Sequence, residues 1–199
     1  MTKRYDQAYF DKWYRDPRSR MWARADVERK VRMALGVAEY LLDRPVRSVL
    51  DVGAGEGPWQ RILKRLRPKC RYQGVDDSAY VVERFGRRCH IKRGRIEQLG
   101  SLGLRGPFDL VVCCDVLHYV TTDELRRGLK ALADLARGPA YLEAYTSADD
   151  VAGDDAHFQR RSPFAYRRLF HAAGFFQVGP HCYLHKRMGQ MLVALERTR

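Results

Sequence analysis

The sequence has no long apolar run. None approaches the roughly 18–20 residues that a helix needs to cross a bilayer, and the opening Met1-Thr2-Lys3-Arg4-Tyr5-Asp6 leads into an amphipathic segment rather than a signal-peptide core. A cytoplasmic protein with no membrane partner is expected. Cysteine is sparse and odd in number: Cys70, Cys89, Cys113, Cys114 and Cys182 show no C-x-x-C spacing. That argues against both a disulfide framework and a zinc cluster, so reduced thiols and no metal are expected. Repeats and low-complexity tracts are absent, which sets aside solenoids and disordered linkers. Acidic residues are in deficit, 24 against 37 basic, for a formal charge of +13. The basic residues are nevertheless scattered in short pairs such as Arg87-Arg88, Arg160-Arg161 and Arg167-Arg168, with no basic and aromatic run of the kind that RNA-binding modules use. A nucleic-acid partner therefore ranks below a small molecule, and a solvated basic surface is the simplest reading.

What is present suits one domain with a short appendage. The 199 residues are 45% hydrophobic, enough for an ordinary core, and glycine and proline divide them into alternating apolar runs and helical patterns. That alternation predicts an α/β fold: a three-layer, doubly wound, mostly parallel sheet of seven strands ending in an antiparallel hairpin, preceded by N-terminal helices. Residues 1–45 read as a helical lid or cap segment and 46–199 as the sheet domain. Within the first part an aromatic stretch over 5–14 is broken at Asp16-Pro17, and a helix over 26–42 follows, with Val27, Val31, Ala34, Leu35, Ala38, Leu41 and Leu42 at helical spacing. Strands are expected over 46–52, 71–76, 89–93, 108–114 and 140–145. Pro58 opens one helix, Ser78 caps the next, and Thr121 with Glu124 forms a capping box for a third that Gly138-Pro139 ends. A polar loop over 146–161 is expected above the site, and Ser162-Pro163 starts a last helix. Two closing strands, around 176–184 and 188–195, are expected on either side of His185-Lys186-Arg187.

The chemistry is concentrated in Val49-Leu50-Asp51-Val52-Gly53-Ala54-Gly55-Glu56-Gly57, a strand that turns through three alternating glycines into a helix. Such a turn presents bare backbone to a ligand. A dinucleotide site wants G-x-G-x-x-G; here the third glycine falls one place early and Pro58 stands in its position. Asp51, just before the turn, would repel a pyrophosphate but suits an ammonium group. In Gly74-Val75-Asp76-Asp77-Ser78 a second carboxylate ends the next strand, placed to accept the hydroxyls of an unphosphorylated ribose. The two together describe a nucleoside site without a phosphate site.

These residues resemble the class I, Rossmann-like S-adenosylmethionine (SAM)-dependent methyltransferases, over nearly the whole chain from Val46 onward. The resemblance implies SAM as cofactor, with S-adenosylhomocysteine as product. It implies that Asp51, Gly53, Ala54 and Gly55 cradle the methionyl part and that Asp76 and Asp77 flank the ribose. Gly94-Arg95-Ile96-Glu97 is similar to the family's segment after the third strand, which puts Ile96 near the adenine; Arg95 departs from the usual acidic residue. Phe108 to Tyr119 resembles the fourth-strand region, whose end, with Cys113 and Asp115, lies beside the sulfonium in that family.

For catalysis, His118 is read as a general base, with stacking on the cofactor or capping of its own segment as alternatives. Glu143 and Tyr145, at the carboxyl end of the fifth strand, are read as orienting the acceptor. Trp13, Tyr14 and Trp22 are candidates for an aromatic wall, and residues 1 to about 24 for a lid over the acceptor pocket. The leading expectation is methyl transfer to an oxygen or nitrogen of a small molecule. An RNA methyltransferase, resting on charge alone, and a non-catalytic SAM-fold subunit are the alternatives. The oligomeric state is not read from the sequence.

Overall fold

Five short runs pair as parallel strands; the central ones are buried on both faces, whereas the edge run Ile91–Arg93 leaves Lys92 and Arg93 exposed. The computed structural model describes residues 5–16, 18, 23–151 and 157–193. Among these, β1 (Ser48–Val52), β2 (Arg71–Asp76), β3 (Ile91–Arg93), β4 (Leu110–Cys114), β5 (Ala140–Glu143), β6 (Phe175–Gly179) and β7 (Cys182–His185) form one seven-stranded sheet in the order β3-β2-β1-β4-β5-β7-β6. Strands β1 to β5 pair in parallel. β7 is antiparallel to both β5 and β6, so β6 runs in the same sense as the first five. The strand order reverses between β1 and β4, and in open α/β sheets the crevice at that reversal takes the ligand.

The helices are α1 (Gln7–Phe10), α2 (Arg24–Leu42), α3 (Pro58–Leu66), α4 (Ala79–Cys89), α5 (Thr122–Leu135) and α6 (Pro163–Ala172). A π-helical turn, Asp11–Arg15, extends α1. Their starts follow the local chemistry: Pro58 sits in the first turn of α3, Ser78 caps α4, Thr121 and Glu124 cap each other's backbone at α5, and Ser162 with Pro163 opens α6. Alternation along the strands sends successive side chains to opposite faces. Leu50, Val52, Val111 and Cys113 join the core beneath α5 and α6, whereas Val49, Leu110, Val112 and Tyr141 join the core formed with α2 and α3. Helix α2 thus shares the core of the sheet through Val31, Ala34, Leu35 and Ala38.

One expectation needs correction. The closing hairpin lies wholly within 175–185, turning at Pro180-His181, and the stretch expected to be its second strand is the 3₁₀ helix Lys186–Met191. Pro180 has no N–H to give to a sheet ladder, so the segment read as one strand is divided there. Met188 and Leu192 both fall in the core beneath α5 and α6. Leu195 lies outside the described residues.

Candidate functional site

The glycine turn is held by backbone. The N–H groups of Gly53 and Ala54 both donate to the Val75 carbonyl, at 2.8 and 3.1 Å, which ties the end of β1 to β2. Gly53, Gly55 and Gly57 all have positive φ. A Cβ at Gly53 would lie 2.0 Å from Val116 Cγ2, and one at Gly55 would lie 3.0 Å from the Tyr14 hydroxyl. Two cavities open on either side of this turn and share Tyr14, Gly53, Cys114 and Asp115. The one over β2, about 150 Å³, is lined by Gly53, Gly55, Asp76, Asp77, Ile96, Asp115 and the N-terminal aromatics Tyr5, Tyr9 and Phe10. The other, about 390 Å³, is lined by Asp51, Gly53, Ala54, Trp13, Trp59 and the cations Arg24, Lys30 and Arg61.

Asp76 accepts the Gly55 N–H on one oxygen at 2.8 Å and the Ser78 N–H on the other at 2.9 Å. A carboxylate oxygen has two lone pairs, so each retains capacity toward the cavity. Burial raises its pKa despite these bonds. Asp51 is 2% exposed and accepts the Tyr72 hydroxyl at 2.6 Å. Burial pushes its carboxyl up to about 7, the Tyr72 bond opposing and the nearby Asp76 adding. Asp77 is half exposed, 3.6 Å from the Arg95 guanidinium.

At the end of β4, parity separates neighbours. Cys113 is fully buried in the core, and Cys114 lines both cavities. Burial, with Glu143 next, raises the Cys114 thiol. Asp115 follows with φ +63°, a left-handed conformation that costs a residue other than glycine about 1–3 kcal/mol and collects at functional sites. His118 is 1% exposed and lines neither cavity. Its Nδ1 accepts the Tyr145 N–H at 3.3 Å, which leaves the neutral ring's proton on Nε2, 3.5 Å from Asp115 Oδ1. Phe158, from the loop after β5, packs on the same ring, centroids 5.0 Å apart. Arg161 in that loop donates to the Leu117 and Val120 carbonyls at 3.3 and 2.5 Å. Glu143 is buried between Lys30, at 2.6 Å, and the Tyr141 hydroxyl, with the Cys114 thiol at 3.4 Å. Burial would raise its carboxyl, but Lys30 and Tyr141 hold it below the ordinary value. Burial raises the half-buried Tyr145 phenol.

The structure therefore gathers Asp51, Gly53, Ala54, Gly55, Asp76, Asp77, Ile96 and Asp115 around one cleft and sets Cys113, His118, Glu143 and Tyr145 behind its wall. The aromatic segment covers more than the acceptor side. Phe10 is buried against Tyr14 and Tyr80, the Ser78 hydroxyl donates to the Tyr5 carbonyl, and Arg15 pairs with Glu56. Trp22 lies outside the described residues. Arg24, Lys30 and Arg61 escaped the sequence reading; Lys30 falls on the helical face that carries Val27 and Val31, a cation beside apolar positions, which was the available signal.

Residues 50–139 match a family model described as a methyltransferase domain. No curated protein sequence matches the chain. Among solved structures, the chain is similar to the plantazolicin methyltransferase BamL, in complex with a triazolic desmethylPZN analog and SAH, at 14% identity, TM-score 0.65, covering 84% of this chain and 74% of that one. It is also similar to a SAM-dependent methyltransferase from Archaeoglobus fulgidus, at 17% identity and TM-score 0.61, covering 85% and 74%. A third likeness is to magnesium protoporphyrin IX methyltransferase from Synechocystis with bound SAH, at 18% identity and TM-score 0.55, covering 76% and 73%. Domain match and fold both agree with the resemblance carried by the glycine turn.

Proposed function

We propose that this chain, with its methyltransferase domain and the fold of the class I SAM-dependent enzymes, moves the SAM methyl group to an oxygen or nitrogen of a small-molecule acceptor. The observation that carries this reading is the pair of cavities meeting at Gly53, Cys114 and Asp115. One is a nucleoside crevice with a ribose carboxylate and no phosphate site. The other is a roofed, aromatic-lined space of small-molecule size.

Asp76 would hold the ribose hydroxyls with its remaining lone pairs, Ile96 the adenine face, and Asp51 with the bare backbone of Gly53 and Ala54 the methionyl end. Bound there, SAM supplies a methyl group whose carbon–sulfur bond breaks, both electrons staying on sulfur, as the acceptor's oxygen or nitrogen forms the new bond. Asp115 stands at the junction of the two cavities, so it is the carboxylate placed to orient the acceptor and take up its proton. His118 fixes Asp115 from behind, and is read here as a positioning residue rather than the base. Tyr14 and Trp13 close the junction against water. Holding the reacting groups in line contributes roughly 7–11 kcal/mol in well-oriented systems, enough for a strong base to be optional.

The test is calorimetry with SAM, S-adenosylhomocysteine and NAD, followed by a panel of hydroxyl- and amine-bearing metabolites read by S-adenosylhomocysteine release. Binding of the first two without NAD, and release dependent on a small acceptor, is the expected result. NAD binding without SAM binding would end the reading. An RNA acceptor finds support in a basic groove lined by Lys64, Arg71, Arg88, His90, Lys92 and Arg105. RNA affinity that falls by about 10³-fold or more between about 50 and 200 mM salt, together with RNA-dependent release, would favour it.

A further inference from the structure

The fold collects charge that the sequence spreads out in short pairs. Residues 57–75 hold six basic residues and no acidic one, and residues 84–96 hold another six and none, so the rest of the chain, 25 basic against 24 acidic residues, is close to neutral. The first segment is α3 with β2 and the second is the end of α4 with β3, which lie together at one edge of the sheet. Arg65, Arg67 and Arg95 pair with acids from outside the two segments. Lys64 and Arg88 are exposed, make no ion pair or hydrogen bond among the described residues, and line two surface grooves at once. One groove, walled by α3 and α4, adds Arg61 and Arg65; the other adds Arg71, His90, Lys92 and Arg105. No carboxylate lines either. The second groove opens at the end of the sheet opposite the cleft: Arg71 begins β2 and Asp76 ends it, and five residues of strand span about 16 Å.

The lining also limits the partner. None of the exposed large hydrophobic side chains, Tyr40, Phe164 and Val193, lines either groove, so the apolar anchors of a protein interface are missing. Tyr72 is the one Phe, Tyr or Trp on these walls, and it is buried with its hydroxyl on Asp51, so the aromatic platform on which unpaired bases stack is missing too. What remains is a concave row of cations, mostly arginine, whose forks fit phosphate oxygens. Such a row grips a backbone of regularly spaced phosphates without reading its sequence.

We propose that this basic edge docks the phosphate backbone of a nucleic-acid duplex, at a site separate from the cleft, which stays open to cofactor and small acceptor. The docking goes beyond the methyltransferase reading and does not rest on it, because gripping a backbone needs no cofactor. The test is fluorescence anisotropy of a short labelled duplex of arbitrary sequence, titrated with the full chain in rising salt. With roughly six phosphates neutralised, log affinity should fall against log salt with a slope of about −5, a loss of about 10³-fold between about 50 and 200 mM. The double variant K64Q/R88Q should reduce that slope by about two and weaken binding at least about tenfold at about 100 mM salt, with an unchanged melting temperature. R167Q/R168Q removes the same charge from exposed positions on α6, which packs at the other edge of the sheet, and should change duplex affinity by less than about threefold. Equal losses in the two variants would reduce the binding to net charge and overturn the proposal, as would no measurable binding at about 50 mM salt. A polyglutamate peptide of matched charge that binds as tightly as the duplex would also overturn it, making the partner an acidic protein. S-adenosylhomocysteine release that depends on the duplex alone would overturn the separation of the two sites and put the nucleic acid in the cleft as acceptor.

Discussion

The two halves of the cleft are built by different means. The proposed nucleoside half is made of backbone: three glycines with positive φ, two N–H groups on one carbonyl, and the Asp76 carboxylate, which reaches from the end of β2 to an N–H of the turn. The other half, the proposed acceptor side, is lined beyond the turn itself by side chains from α2, α3, β4 and the N-terminal segment, brought together only when the chain folds. Backbone demands are stringent and local, so they leave a motif. A wall of side chains can be assembled from many sequences, and it leaves almost none.

Substitution in the nucleoside half should therefore have the larger effect. Gly53→Ala places a Cβ 2.0 Å from Val116 Cγ2 at φ +76°. The left-handed conformation alone costs about 1–3 kcal/mol, and the clash adds to it. Loss of measurable SAM binding, about 10²-fold or more, with a lowered melting temperature is the expected outcome. Gly36→Ala is the control: it lies exposed within α2 with nothing within 4 Å, and should stabilise the protein by about 0.5–1 kcal/mol. If both variants melt alike and bind alike, the contrast between the halves is lost.

Asp76→Ala comes next. It removes the acceptor of the Gly55 and Ser78 N–H groups as well as the ribose carboxylate, and each charge-assisted bond lost costs about 1.5–3 kcal/mol. Calorimetry should show SAM affinity lower by roughly 10–10²-fold. An unchanged affinity would remove Asp76 from the site.

The same division explains what could be read from the sequence. The parallel sheet, the glycine turn and the place of Asp76 at a strand end were legible because alternation and spacing specify them, and Ser78 and Thr121 were legible because caps are local. The hairpin was misplaced because apolar content outweighed the break at Pro180. Cys113 was chosen over Cys114 although alternation assigns them to opposite faces, and only the observed core fixes which face is which. Lys30, Arg24 and Arg61 come from helices whose charged residues all look solvated until the fold puts three of them beside one cavity.

A smaller effect should come from pH. Asp51, buried and pushed up to about 7, is substantially protonated below that value in the free protein, whereas an ammonium group requires the carboxylate. Binding at lower pH must therefore release a proton, and affinity should fall by up to about tenfold per pH unit below 7. The folded pKa lies above the unfolded one, so the same group favours folding more at low pH than at high pH: its contribution declines as pH rises from about 4 and is fully unfavourable above 7. Titrations at pH 6 and pH 8 in buffers of different ionisation enthalpy would reveal the proton. Affinity that does not change between them would separate Asp51 from the ligand.

The smallest effect is expected at His118, where the two halves meet from behind. A general base typically contributes about 10²–10⁴-fold and must reach the proton it removes. His118 is buried, its Nδ1 is taken by the Tyr145 N–H, and its Nε2 faces Asp115 rather than either cavity. In the proposed arrangement such a ring sets the angle of a carboxylate. His118→Asn should therefore lower kcat by about tenfold or less, with SAM affinity nearly unchanged. Asp115→Asn should cost more in kcat, and the double variant should lose little beyond Asp115→Asn alone, because a positioning residue has nothing left to position. A loss of about 10²-fold or more in His118→Asn, and a further loss of that size when it is added to Asp115→Asn, would return the base to His118. It would also mean that the wall between His118 and the acceptor opens during turnover.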